Sequence, residues 1–253
     1  MSTDLGVWPE GVARHVLGQV DSTMSEAARL APHLAGPAWV FARQQTDARG
    51  RRGRAWRMPE GNFAATYVFR PEIAPPTAAL YSFVAALALE AALGRIVGPH
   101  VRLAIKWPND VLVNGGKIAG ILLESIGSGA QVVHLAIGIG VNLAEAPGAA
   151  QVEPGAVAPV SLRGETGVTI APEEFLPILA QEFDRYARQF ARFGFAPIRE
   201  AWLARAARLG EKVIARTGSE THEGVFETID ETGAMILRTA SGPRAIAAGD
   251  VFF

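Results

Sequence analysis

The chain has 253 residues and no cysteine, with 49% hydrophobic residues, 19% charged residues and a formal net charge of −1. This is the composition of a globular protein with a substantial core, and it excludes a disulfide framework, a thiol nucleophile and a cysteine-ligated metal. A charge so close to zero also gives no general electrostatic footprint for nucleic acid or an anionic membrane.

Residues 1–21 contain Asp4 and Glu10 and no basic segment leading into an apolar run, so no secretory signal is predicted. Thr23 and Glu26 have capping-box spacing ahead of Met24, Ala27, Ala28 and Leu30, which predicts a helix over 21–30. Strands are expected at 38–45 and 62–70, joined by a long loop that contains RGRRGR (49–54) and Trp56. A loop of that length inside a compact domain is more often functional than idle. Arginine presents a planar fork that grips phosphate or carboxylate, and Gly50 and Gly53 let backbone N–H groups come close to an anion.

A buried helix is predicted over 76–96, behind Pro75 and Pro76. Its apolar stretch, 80–93, is broken by Tyr81, Ser82 and Glu90 and is too short and polar for a membrane span, so a cytoplasmic protein is expected. Strands at 101–107 and 110–113 follow, and Asn114-Gly115 signals a two-residue hairpin into 117–125. KWPND places Lys106, Asn109 and Asp110 at a strand end, where the ligands of α/β sheets collect. The apolar run 132–143 reads as a central strand covered on both faces.

Residues 145–160, rich in Pro, Ala and Gly, are expected to form a surface loop, with helices at 172–193 and 196–209 beyond it. From Glu211 onward, KVIARTG, EGVFETID, AMILRTA and RAIAAGDVFF read as short strands of a small all-β barrel of about 40 residues.

Ser22 and Thr23 offer hydroxyls at a helix N-terminus, where free N–H groups and a partial positive charge favour a polar ligand head group. NGGK (114–117) is not a Walker loop, because it lacks both the spacing and the Ser or Thr after the lysine. His15, His33, His100, His134 and His222 show no metal-ligand spacing.

In this order, DST, QQTDARGRRGRAW, IKWPNDVLVNGGKIAGILLE and GIGVNL closely resemble the catalytic domain of the biotin protein ligases. The stretch after Glu211 falls where that family carries a small SH3-like domain, so the resemblance covers nearly the whole chain. It implies an α+β fold: a class II synthetase-like mixed sheet with packed helices over 1–209, then an SH3-like barrel over 210–253. The implied activity is ATP-dependent conversion of biotin to biotinyl-5′-AMP with release of pyrophosphate. Transfer follows, to a lysine of the biotin carboxyl carrier domain of acetyl-CoA carboxylase or a related carboxylase.

By motif match, Ser22, Thr23, Gln45 and Gly120 belong with biotin, and Arg49, Gly50 and Arg51 fold over its carboxylate and the adenylate phosphate. Lys117 bridges carboxylate and α-phosphate. Arg52, Gly53, Arg54, Trp56, Lys106, Asn109 and Asn142 fall on the nucleotide side. Lys117, Arg51, Lys106 and Asp110 are the implied catalytic groups, with Asp110 orienting or deprotonating the acceptor lysine. Mg²⁺ is implied on the ATP phosphates, without a protein metal site.

Two residues depart from the family pattern. Ala48 stands where glycine is usual at the start of the arginine loop, and Met24 stands where asparagine usually follows DST. Twenty residues precede DST, too few for an N-terminal winged helix, so the resemblance is to the monofunctional type and no DNA binding is expected. A homodimer is left open. Lipoate–protein ligases share the fold and the adenylate chemistry but lack this GRRGR and KWPND pair. A ligase-like protein that binds biotin or nucleotide without catalysis is the other alternative.

Overall fold

Short apolar runs, buried along much of their length, set most strands of the first sheet. The computed structural model describes residues 7–126, 132–148, 155–218 and 220–253. In it β2 (Ala38–Gln45) and β3 (Phe63–Phe69) pair antiparallel across the arginine loop, and β1 (Ala13–Val20) lies parallel on the outer edge of β2. The other half is β4 (Leu103–Lys106), β5 (Asp110–Val113) and β6 (Gly116–Ile126), with β7 (His134–Val141) joining the halves. The strand order is β1-β2-β3-β7-β6-β5-β4, so β7 is central as expected. Asn114 and Gly115, at φ 50° and 90°, make the tight turn their sequence signals. β1 was not foreseen in the sequence. As an edge strand it has no buried residue, and therefore no apolar alternation to read.

Helix α1 (Thr23–Leu30) is capped by Ser22 rather than Thr23: Ser22 Oγ accepts from the Met24 and Ser25 amides. The helix expected over 76–96 is two, α2 (Pro75–Ala79) and α3 (Tyr81–Val97). At Leu80 the spacing tightens, since Leu80 N bonds Thr77 O and Phe83 N bonds Leu80 O. A short helix, α4 (Leu162–Thr166), starts at Ser161, whose hydroxyl accepts from Gly164 N. Part of the expected 145–160 loop, 149–154, lies outside the described residues.

α5 (Pro172–Phe193) matches its predicted range, whereas α6 (Phe195–Leu203) stops six residues before 209. The chain leaves the helix to join the free edge of β4: Ile105 N bonds Arg205 O and Ala207 N bonds Ile105 O.

α3 and α5 cover one face of the sheet. Phe183 of α5 packs against Trp39 and Tyr67, with ring centroids 5.6 and 4.6 Å apart. The stretch Pro75–Val97 is long and apolar enough to cross a membrane, but 61% of an 18-residue apolar window within it is buried inside the fold, where α3 is a core helix. On the opposite face Ala27 of α1 and the adjoining Ala31 pack against Val40 and Val68.

The C-terminal strands are β8 (Lys212–Thr217), β9 (Glu220–Ile229), β10 (Met235–Thr239), β11 (Gly242–Ile246) and β12 (Asp250–Phe252). They form an antiparallel sheet in the order β11-β10-β9-β8-β12. The single strand expected from RAIAAGDVFF is therefore two: β11 pairs with β10, and the chain turns at 247–249 so that β12 pairs with β8. This sheet shares one continuous core with the first part. Trp202, fully buried, stands between Phe83 and Phe226, and Trp107 Nε1 donates to Gly233 O at 3.0 Å.

Trp202→Ala should therefore cost about 3–5 kcal/mol and still leave one cooperative unfolding transition. Urea unfolding followed by circular dichroism and fluorescence checks both, and a separate early transition of the C-terminal sheet would contradict the shared core.

Candidate active site

The face of the first sheet turned away from α3 and α5 carries a cavity of about 690 Å³. Its floor follows from strand register. Lys106, Asp110, Gly120, Gly140 and Ala64 stand opposite one another in one row across β4, β5, β6, β7 and β3. Gly138 lies two residues before Gly140 and opposes both Leu122 and Thr66. β7 is thus covered on both faces only in part: its alternate glycines open onto the cavity, while Ile137, Ile139 and Val141 enter the core. A Cβ on Gly140 would lie 2.6–2.8 Å from the Trp56 indole, and one on Gly138 would lie 2.9 Å from Met24 Cε.

The loop 46–62 folds over this floor. Trp56 N bonds Ala48 O, Gly50 N bonds Arg54 O, and residues 51–53 make a 3₁₀ turn. The two glycines of RGRRGR act differently from what was expected. Gly53 has φ 71°, which calls for glycine, whereas Gly50 is at φ −103° with only Arg54 O within 4 Å of a would-be Cβ. Ala48, at the usual glycine position, is not among the residues of positive φ, so alanine is unstrained there.

One end of the cavity is lined with neutral donors and acceptors. Gln45 Oε1 accepts from the Thr23 amide at 2.8 Å and the Thr23 hydroxyl at 3.1 Å, and Thr66 Oγ1 donates to Thr23 Oγ1 at 2.9 Å. Ser22 Oγ serves as the helix cap, which leaves its own O–H to donate to a ligand.

The other end is charged. Asp110 stands between two lysines, with Lys117 Nζ 2.7 Å from Oδ1 and Lys106 Nζ 3.6 Å from Oδ2. The shorter contact lacks hydrogen-bond geometry, so buried Oδ1 keeps acceptor capacity. Burial pulls the Lys106 ammonium below the ordinary lysine range, against the opposing pull of Asp110. Arg51 reaches in from the loop: Nη1 donates to Asn109 Oδ1 and Nη2 to Gly249 O, both at 3.1 Å. Asn109 in turn donates to Ile121 O, and Asn142 Nδ2 to Val160 O. Arg49 turns outward to Glu124 and Ser25.

The expected residues Ser22, Thr23, Gln45, Arg49, Gly50, Arg51, Arg54, Trp56, Lys106, Asn109, Asp110, Lys117, Gly120 and Asn142 all line the cavity. Arg52 and Gly53 do not, and Arg52 bonds Asp250 instead. Thr66, Gly138, Gly140, Asp250 and Phe252 line the cavity without having been foreseen. The i, i+2 glycines of GIGVNL were a readable sign of a strand face cleared of side chains. Asp250 had no local sign. Among the described residues no group of three His, Cys, Asp or Glu could hold a metal.

A sheet floor cleared by glycines, a helix N-terminus at one end and clustered cations at the other define a pocket for a small acid and an anionic group. Residues 17–142 match the biotin/lipoate A/B protein ligase family, and residues 209–253 match the biotin protein ligase C-terminal domain. A biotin–[acetyl-CoA-carboxylase] ligase of Paracoccus denitrificans is 61% identical over 94% of this chain and 99% of its own length. A bifunctional ligase/repressor of Bacillus subtilis is 31% identical over 95% of this chain and 76% of its own. The fold matches the biotin protein ligase of Aquifex aeolicus solved with biotin and ATP, with a TM-score of 0.80 at 24% identity over 94% of this chain and 97% of that one. The chain belongs to the biotin protein ligase family.

Gly140→Val should push the Trp56 indole off the floor. Acrylamide quenching of tryptophan fluorescence should rise while the far-ultraviolet circular dichroism stays unchanged.

Proposed function

We propose that this cavity is where biotin and ATP meet. The chain is an ATP-dependent biotin–protein ligase. A biotin carboxylate oxygen attacks the α-phosphorus of ATP, pyrophosphate leaves, and biotinyl-5′-AMP forms. The amine of an acceptor lysine then attacks the acyl carbon, loses a proton, and releases AMP. The acceptor we assign is the carrier domain of acetyl-CoA carboxylase or a related carboxylase, with the reaction in the cytoplasm.

The observation that carries the residue assignment is charge. Among the described lining residues are six cationic side chains, Arg49, Arg51, Arg54, Arg57, Lys106 and Lys117, against two carboxylates, Asp110 and Asp250. This accumulates in a chain of net charge −1. The first step brings a carboxylate up to a polyphosphate, and preorganised cations lower that barrier most effectively in a site shielded from water. No nucleophilic side chain is needed, because biotin supplies the attacking oxygen.

In this reading Ser22, Thr23, Gln45 and the strand face at Gly120 receive the biotin head group. Lys117 bridges carboxylate and α-phosphate. Lys106, Asn109, Asn142, Trp56 and the loop residues Arg49, Gly50, Arg51 and Arg54 hold the nucleotide. Asp110 positions the two lysines, a role its contacts support more directly than deprotonation of the acceptor. Mg²⁺ carried on the ATP phosphates would neutralise part of their charge, and no cluster of His, Cys, Asp or Glu among the described residues would ligate it. Arginine suits the loop for a second reason: it stays protonated at working pH and is not acylated by the mixed anhydride it covers. We assign 1–209 to the catalytic part and 210–253 to the SH3-like part.

Incubation with biotin, ATP, Mg²⁺ and a carrier domain, followed by mass measurement, should show one biotinyl group added to the carrier. Pyrophosphate exchange that depends on lipoate rather than biotin would favour the lipoate-ligase reading.

Lys117→Ala should lower single-turnover adenylate formation by about 10²–10³-fold. Arg51→Gly should speed loss of biotinyl-AMP more than it slows its formation, measured by pulse-chase dissociation. With rising pH, kcat/KM for ATP should fall before the ordinary lysine range is reached, because buried Lys106 gives up its proton early. Lys106→Arg should move that limb to higher pH.

A further inference from the structure

Asp250 opens β12 in the C-terminal sheet, 196 residues along the chain from Arg54, and the chemistry above gives it no task. Yet the arginine loop converges on it. Its Oδ2 accepts from Arg52 Nη1 at 2.7 Å and from Arg54 Nη2 at 2.6 Å, and its Oδ1 lies 3.6 Å from Arg51 Nη1. The preceding carbonyl, Gly249 O, accepts the other arm of Arg51. Gly249 is itself tightly fixed, since a Cβ there would fall 2.8 Å from Arg216 O on β8. The Asp250 side chain is 15% exposed, whereas those of Arg52 and Arg54 are 46% and 50% exposed. The carboxylate is therefore the fixed end of the contact, and the guanidinium groups are its adjustable ends.

Burial alone would raise the Asp250 carboxyl, but the Arg54 hydrogen bond and the charges of Arg54, Arg51 and Arg52 outweigh it and hold the group below the ordinary carboxylate range. The latch is thus charged at working pH. Without it, guanidinium groups at positions 51, 52 and 54 would repel one another across a 3₁₀ turn that already holds Arg52 at φ 57°.

We propose that Asp250, with the carbonyl of Gly249, is a positioning residue that latches the arginine loop onto the C-terminal sheet. Held by Arg52 and Arg54, the loop presents Arg51 to the cavity, so the small sheet governs how long the acyl-adenylate is retained. The inference rests on the biotin-ligase reading for its ligand but not for the latch itself, which can be tested on the ligand-free protein.

Full-length Asp250→Asn and Asp250→Glu are compared with the wild type in three measurements. Limited trypsin cleavage within 49–54, without ligand, should be faster in Asp250→Asn by roughly tenfold, the scale of a small network of partly exposed ion pairs. Pulse-chase dissociation of biotinyl-AMP should rise by a similar factor, with Asp250→Glu restoring most of the retention. Added salt should speed loop cleavage in the ligand-free wild type, because these pairs are screened, and should have little effect on cleavage in Asp250→Asn.

Unchanged cleavage together with unchanged dissociation would overturn the proposal. Slower dissociation in Asp250→Asn would overturn it too, because Asp250 would then be competing with the phosphate. Should Asp250→Asn fail to fold, Arg52→Ala leaves the sheet intact and should reproduce the faster cleavage and the loss of salt dependence in part. Failure of the wild type to form any adenylate would instead count against the functional reading, while the cleavage assay would still decide the latch.

Discussion

Two carboxylates hold five cations in place around one cavity. Asp110 collects Lys106 and Lys117 on the sheet, and Asp250 collects Arg51, Arg52 and Arg54 from the loop above it. Packing positive charge at this density in a partly buried space is costly unless each group has a counter-charge. The protein meets that need with few anions and shares each among several cations. The cavity keeps a surplus of positive charge and can still receive a polyanion.

The rest of the architecture supports this arrangement. A sheet normally covers both faces with side chains, but the row through Gly120 and Gly140 leaves one face low enough for the Trp56 indole of the loop to lie against backbone. The opposite face is filled instead, with Trp39, Tyr67 and Phe183 packed ring against ring. The N-terminus of α1 contributes Ser22 and Thr23 at one end of the floor, and the edge of the sheet contributes Lys106 at the other. Neutral and charged recognition are thereby separated along a single surface.

Much of this was legible in the sequence because it rests on local signals. β2, β5 and the Asn114-Gly115 turn combine clear apolar runs with turn chemistry, and RGRRGR and KWPND carry the residue types that anion binding needs. What escaped was set by distant partners. β1 has no buried face to advertise it. α6 ends where β4 offers a free edge, a competition invisible in residues 204–209 themselves. Asp250 reads as an ordinary aspartate after a glycine, and only folding brings it to arginines far earlier in the chain. The glycine pair of β7 was visible but was absorbed into an apolar run.

The core shared by the two sheets has a thermodynamic consequence. Trp202 joins Phe83 to Phe226, so the floor of the cavity and the strand that carries Asp250 belong to one folding unit. A ligand held between them stabilises the whole chain by mass action, about 2.7 kcal/mol at a free concentration one hundred times Kd. Occupancy of the pocket is then reported by protection of amides in the far sheet as well as by those beside the ligand, and the population of intact protein follows the supply of its own substrates.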